Sequence, residues 1–124
     1  MPFQWQIAHP ARLVEVVASG HIGMDDVHSY FAALRAAGVL SYRKLVDGRQ
    51  AVPALDAGDF RAFTSILLGF ASRTALGPVA WVRSREAGPL EPVARRMSLP
   101  PRPFRMFDDI DEARLWLSRM PIEI

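Results

Sequence analysis

Two short runs constrain the fold more than anything else in this chain. Arg12–Ser19 (RLVEVVAS) is rich in β-branched residues and mostly apolar on both alternating faces, with Leu13, Glu15 and Val17 on one side and Val14, Val16 and Ala18 on the other. Pro78–Arg83 (PVAWVR) is a nearly continuous apolar run. Strands of this kind sit inside a sheet covered on both faces, which is the habit of α/β proteins. A helical pattern lies between them. Val27, Tyr30, Phe31 and Leu34 recur at spacings of three and four behind Asp25 and Asp26, whose carboxylates favour the positive end of a helix dipole. Gly38 is placed to close that helix in the left-handed conformation.

The remaining elements follow from the same periodicities. Phe3, Trp5 and Ile7 alternate with Gln4 and Gln6, so a first strand precedes Arg12–Ser19 and pairs with it as an antiparallel hairpin through His9-Pro10-Ala11. Gly20 is expected to end the second strand. Lys44–Asp47 reads as a short third strand, parallel to the second because a helix intervenes, followed by a turn at Gly48-Arg49 and a loop over Gln50–Leu55. Asp56 is an N-cap for a second helix running to about Leu76 before Gly77-Pro78. A third helix is expected over Leu90–Leu99, a fifth strand over Phe104–Phe107, and a last helix after Asp109, whose first turn carries Asp111 and Glu112. The expectation is one domain spanning residues 1–124. It is a single mixed, mostly parallel five-stranded sheet with an N-terminal antiparallel hairpin and about four helices, in the order β-β-α-β-α-β-α-β-α.

Composition removes several chemistries. There is no cysteine, so disulfides, thiolate catalysis and Cys-ligated zinc are out. The histidines His9, His21 and His28 have no metal-binding spacing, Ser19 and His21 have no nucleophile-elbow context, and no phosphate-cradling glycine motif occurs. No cofactor, no metal and no catalytic residue are expected. The start of the chain reads as a strand and the most apolar stretch, Phe60–Leu76, is broken by Arg61 and Arg73, so neither a leader nor membrane insertion is expected and the location expected is cytoplasmic. The formal charge is +2, but residues 61–105 carry a net +6 and the rest −4. A solvated surface of a chain that uses Arg in place of Lys accounts for the asymmetry, and the alternative is steering of an acidic partner. Nucleic acid is disfavoured, because Phe104, the aromatic beside Arg102 and Arg105, is expected to point inward.

A hairpin ending in RLVEVVASGHIGMDDV, then KLVDGR, then PVAWVRS, then a closing FDDIDEARLWL resembles the SpoIIAA-like group, the STAS-type domains, and more narrowly a bacterial stand-alone subgroup described as STAS or CRAL-TRIO-like. The resemblance covers about residues 5–118. It implies the SpoIIAA-like fold and a non-enzymatic regulatory or protein-interaction module of the anti-sigma-factor-antagonist type. A second implication is a small apolar or lipid-like ligand, as in CRAL-TRIO domains. In the antagonists a Ser at the start of the helix after the third strand is phosphorylated. Here the segment Gly48–Asp59 has no Ser or Thr, so that switch is expected to be absent. Asp56 is either a simple helix cap or a permanent charge in the place of the modified Ser.

The candidate binding residues are therefore Asp47, Arg49, Asp56, Ile66 and Leu68. Asp47 and Arg49 are expected at the carboxyl end of a parallel strand, where open α/β sheets place ligands. Asp47 is also suited to bonding its own turn. On the second helix Phe60, Phe63, Leu67, Phe70 and Ala71 are expected to face the core. Ile66 and Leu68 lie at opposite edges of that stripe, wider than one packed face requires. Either neighbouring helices bury them, or they are the positions expected to meet a protein partner, a second copy or an apolar ligand.

Overall fold

The computed structural model describes residues 2–53, 57–71, 76–83 and 103–120. Five strands form one sheet in the order β1-β2-β3-β4-β5, with β1 spanning Phe3–Ala8, β2 Leu13–Ile22, β3 Arg43–Pro53, β4 Val79–Arg83 and β5 Phe104–Phe107. β1 and β2 pair antiparallel; every later pairing is parallel. Three helices are described: α1 (Met24–Ala36), α2 (Ala57–Ala71) and α3 (Ile110–Ser118). The helix expected over Leu90–Leu99 and the cap expected at Asp56 lie outside the described residues.

Local chemistry accounts for the joints. The hairpin closes through His9–Arg12, where the His9 carbonyl accepts from the Arg12 amide and Arg12 takes a φ of 50°. α1 ends in a Schellman arrangement: Gly38, at φ 71°, donates to the Arg35 carbonyl and Val39 donates to that of Leu34. Leu34 and Val39 are both buried, which supplies the apolar contact that accompanies this motif. At the start of α3, the Asp109 carboxylate accepts from the amides of Asp111 and Glu112.

Two layers of core lie on opposite sheet faces. On one, Val14, Val16 and Ala18 of β2, Val46 and Val79 pack against Val27, Tyr30, Phe31 and Leu34 of α1 and Phe63 of α2. Tyr30 stacks on Phe3 and meets Trp5 edge-on, and Phe31 meets Phe63, so α1 lies over the hairpin with α2 beside it. On the other face, Leu45, Ala80, Val82 and Phe107 pack against Ala113 and Leu117 of α3. α3 lies mainly across β3, β4 and β5, and among the described residues it reaches β2 near its start, where Leu13 packs beside it and Arg114 pairs with Glu15. β2 is interior to the sheet, as its sequence predicts, yet its second face is thinly covered and Val17 is 50% exposed.

Three expectations need correction. Gly20 does not end β2, which runs on through Gly20 (φ 70°) to Ile22. β3 is not the short Lys44–Asp47 but Arg43–Pro53, because Ser19–Ile22 continues as a ladder partner for Gln50–Pro53. The second helix does not include Leu76, which sits in the non-helical approach to Gly77; α2 is described over Ala57–Ala71.

The chain's one lysine, Lys44, is buried at 5% exposure in the middle of the sheet. Its Nζ donates to the carbonyls of Leu40 (2.6 Å) and Tyr42 (2.8 Å), tying the segment after α1 to the start of β3. An ammonium is a compact point donor, and a planar guanidinium would not fit two carbonyls this close to its own strand.

Candidate functional site

The segment Val46-Asp47-Gly48-Arg49 is a bulge within β3, not a turn after it. Val17 pairs with Asp47 and Ser19 with Gln50, so Gly48 and Arg49 together oppose the single residue Ala18. The side chain of Asp47 holds this geometry. Its Oδ1 accepts from the Arg49 amide (3.2 Å), and its two oxygens take the Arg49 guanidinium in a fork, Nε to Oδ1 at 2.9 Å and the terminal nitrogen to Oδ2 at 2.8 Å. The bidentate bond from Arg49 holds the Asp47 carboxyl below its ordinary value, against a partial desolvation that would raise it. Arg49 is correspondingly raised, chiefly by the same bond, with the charge of Asp109 adding to it.

Gly48 is needed at the bulge for a steric reason. A Cβ there would stand 2.6 Å from the indole of Trp81, which lies across the Gly48 backbone. Gly48 also pairs with Arg83, the last residue of β4, so the bulge marks the level at which β4 stops while β3 continues. Beyond that level Arg83 bonds Asp108 (Nε to Oδ1, 2.7 Å) just after β5, and Asp109 caps α3. Asp47, Arg49, Arg83, Asp108 and Asp109 thus line one end of the sheet, the end at which parallel α/β sheets expose their ligand crevice. Asp47 and Arg49 reach it from within a strand rather than from the strand end expected of them.

The adjoining sheet face carries two exposed valines among polar side chains. By strand alternation Val17, Ser19 and His21 of β2 share the face of Leu45 and α3, and His21 pairs with Val52. Val17 and Val52 are each about half exposed, at 50% and 51%. On β3 the fork begins at Asp47, directly opposite Val17, and Arg49 stands three residues before Val52. Sequence reading had no route to this patch, since it placed Val52 in a loop and Val17 in a fully covered strand.

The second-helix residues are elsewhere. Phe63 is buried as expected, Ile66 is half-buried and Leu68 is 51% exposed. The side chains of Phe60, Leu67, Phe70 and Ala71 lie outside the described set, as does Asp56. α2 lies on the face opposite α3, so Leu68 is not part of the Val17–Val52 patch. Of the histidines, His21 and His28 are exposed, and His9 bonds the Tyr42 hydroxyl through Nδ1 at 2.9 Å. Among the described residues, no three His, Asp or Glu side chains gather to hold a metal ion, and no helix is long and apolar enough to cross a membrane.

No protein-family model matches the sequence, and no curated protein matches it. Among solved structures, the chain is similar to an uncharacterized protein from the DUF3478 family with a SpoIIAA-like fold, from Shewanella loihica PV-4. The two superpose with a TM-score of 0.60 over 93% of this chain and 91% of that one, at 20% sequence identity. The chain therefore has a SpoIIAA-like fold: a mixed five-stranded sheet with one antiparallel hairpin. At that identity the likeness carries the architecture and nothing of the activity.

Proposed function

We propose that this chain is a non-enzymatic regulatory module that binds another protein through the open face of its sheet. The observation that carries the reading is the pair of exposed valines, Val17 and Val52, on a rigid sheet beside the Asp47–Arg49 fork. Large apolar side chains held on strands beside a charged pair offer a partner both an apolar contact and a charge to recognise. The resemblance of the sequence motifs to those of anti-sigma-factor antagonists points to the same kind of role. The absence of Ser and Thr from Gly48–Asp59 gives the binding a constitutive character rather than a phosphate-controlled one.

A photo-crosslinking side chain placed at Val17, and in a control at exposed His28 on α1, tests this in the native cell. A single protein captured at position 17, not at 28, and lost when Val52 is changed to Lys, is the expected result. Equal capture at both positions, or none at 17, overturns the reading. A small apolar molecule retained by the purified protein in native mass spectrometry, with no crosslinked protein, would replace it with the ligand-carrier alternative.

A further inference from the structure

The hydrogen-bond phase of the hairpin leaves a sheet edge with an unusual composition. The Ser19 amide donates to the Pro2 carbonyl, and the register continues with Gln4 opposite Val17, Gln6 opposite Glu15 and Ala8 opposite Leu13. Those are the hydrogen-bonded pairs of the ladder. Phe3, Trp5 and Ile7 therefore turn their backbone N–H and C=O groups outward, away from β2. β1 is an edge strand, and among the described residues nothing pairs with those groups.

Edge strands in soluble proteins are normally blunted by a charge, a proline, a bulge or a covering element. Phe3–Ala8 (FQWQIA) has no charge, no proline and no glycine, and its pairing to β2 runs without a bulge. Trp5 and Ile7 are only partly buried.

We propose that β1 is a self-association edge, at which two copies of this chain join antiparallel about a two-fold axis at Trp5 to make one continuous ten-stranded sheet. The occupant is a second copy because the edge is complementary to itself. An axis at Trp5 pairs Trp5 with its equivalent and Phe3 with Ile7 of the second copy, so every outward amide and carbonyl is used. A register centred elsewhere on the strand leaves some unused. The same axis sets Gln4 directly opposite Gln6 of the second copy, twice per dimer, on the face away from α1. Those side chains are exposed, uncharged and able to bond one another, so no like charges meet across the axis. This inference goes beyond the proposed binding of another protein and stands without it, since it uses neither Val17 nor Val52.

Two double variants of the full chain test it by sedimentation equilibrium at low salt. Gln4→Lys with Gln6→Lys sets lysine against lysine at both contacts, and should raise the dimer dissociation constant about tenfold. Gln4→Glu with Gln6→Lys sets opposite charges at the same contacts, and should leave the constant at or below the wild-type value. Both positions are exposed, so melting temperatures at monomeric concentrations should match. Hydrogen exchange gives a second readout on the unaltered protein. The amides of Phe3, Trp5 and Ile7 should gain protection as concentration rises, while those of Gln4 and Gln6 are protected throughout. A wild type that stays monomeric at about millimolar concentration overturns the proposal. So does a dimer that both variants weaken alike or neither affects, or exchange at Trp5 that ignores concentration.

Discussion

Replacing Lys44 by methionine removes two charge-assisted hydrogen bonds from the interior of the sheet. The ammonium holds the Leu40 carbonyl at 2.6 Å and the Tyr42 carbonyl at 2.8 Å, and the residue is 5% exposed, so water cannot take its place. Bonds with a charged partner contribute about 1.5–3 kcal/mol each, net of desolvation. Two corrections lower their sum. The Leu40 carbonyl keeps the Gly77 amide at 3.0 Å, and the methionine side chain refills most of the volume of the lysine stem. The expected loss is about 2–4 kcal/mol, which for a domain of this size lowers the melting temperature by roughly 10 °C. Lys44→Arg should also destabilise, because the planar guanidinium needs more room and a different donor geometry. Urea unfolding followed by tryptophan fluorescence and by far-ultraviolet circular dichroism measures both variants, and a common m-value would license the comparison. A methionine variant within about 0.5 kcal/mol of the wild type would refute the reasoning, since burying the ammonium would then cost as much as its bonds return.

Gly77→Ala should destabilise by about 1–3 kcal/mol, because the new Cβ would lie 2.6 Å from the Ser41 carbonyl and closer still to that of Tyr42, and backbone, unlike a side-chain tip, cannot swing away; thermal melting checks it. The bond from Arg49 lowers the Asp47 carboxyl from its ordinary value of 3.8, so the stabilisation it supplies is fully present above about pH 4 and is lost as the pH falls through the folded-state value. The stability gap between wild type and Asp47→Asn should thus be level from about pH 5 to 8 and close on acidification, and it should be small because the Arg49 end is screened by water; urea titrations across pH that showed the gap widening in acid would contradict the assignment. Leu68→Glu should leave the melting temperature within about 2 °C of wild type, since Leu68 is half exposed, and a collapse on melting would mean that the residue is core.

Local signals in the amino-acid order were enough for the succession of the described elements, because each depends on residues close in sequence. The alternation in Phe3–Ile7, the stripe of Val27, Tyr30, Phe31 and Leu34, the left-handed Gly38 and the cap at Asp109 act within a few residues of themselves, and each occurs in the structure as its chemistry requires. The hairpin and the parallel pairing that follows it came from connection lengths in the same way. Asp47 and Arg49 were legible as a pair, because an aspartate two residues before an arginine can reach both its amide and its guanidinium.

What required the tertiary structure was everything set by a distant partner. Gln50-Ala51-Val52-Pro53 has little strand propensity of its own and becomes strand because Ser19–Ile22 continues alongside, which turns the apparent turn at Gly48-Arg49 into a bulge. Trp81 decides that Gly48 must remain a glycine. Alternation told which face Val17 occupies, but the placement of α3 over β3, β4 and β5 decided that this face would be open there. The sequence places Lys44 only at the start of a strand, and the return of the Leu40 and Tyr42 carbonyls around it explains how a charge is held inside a sheet. Sequence periodicity assigns a residue to a face; what then covers that face depends on the lengths and positions of elements far along the chain.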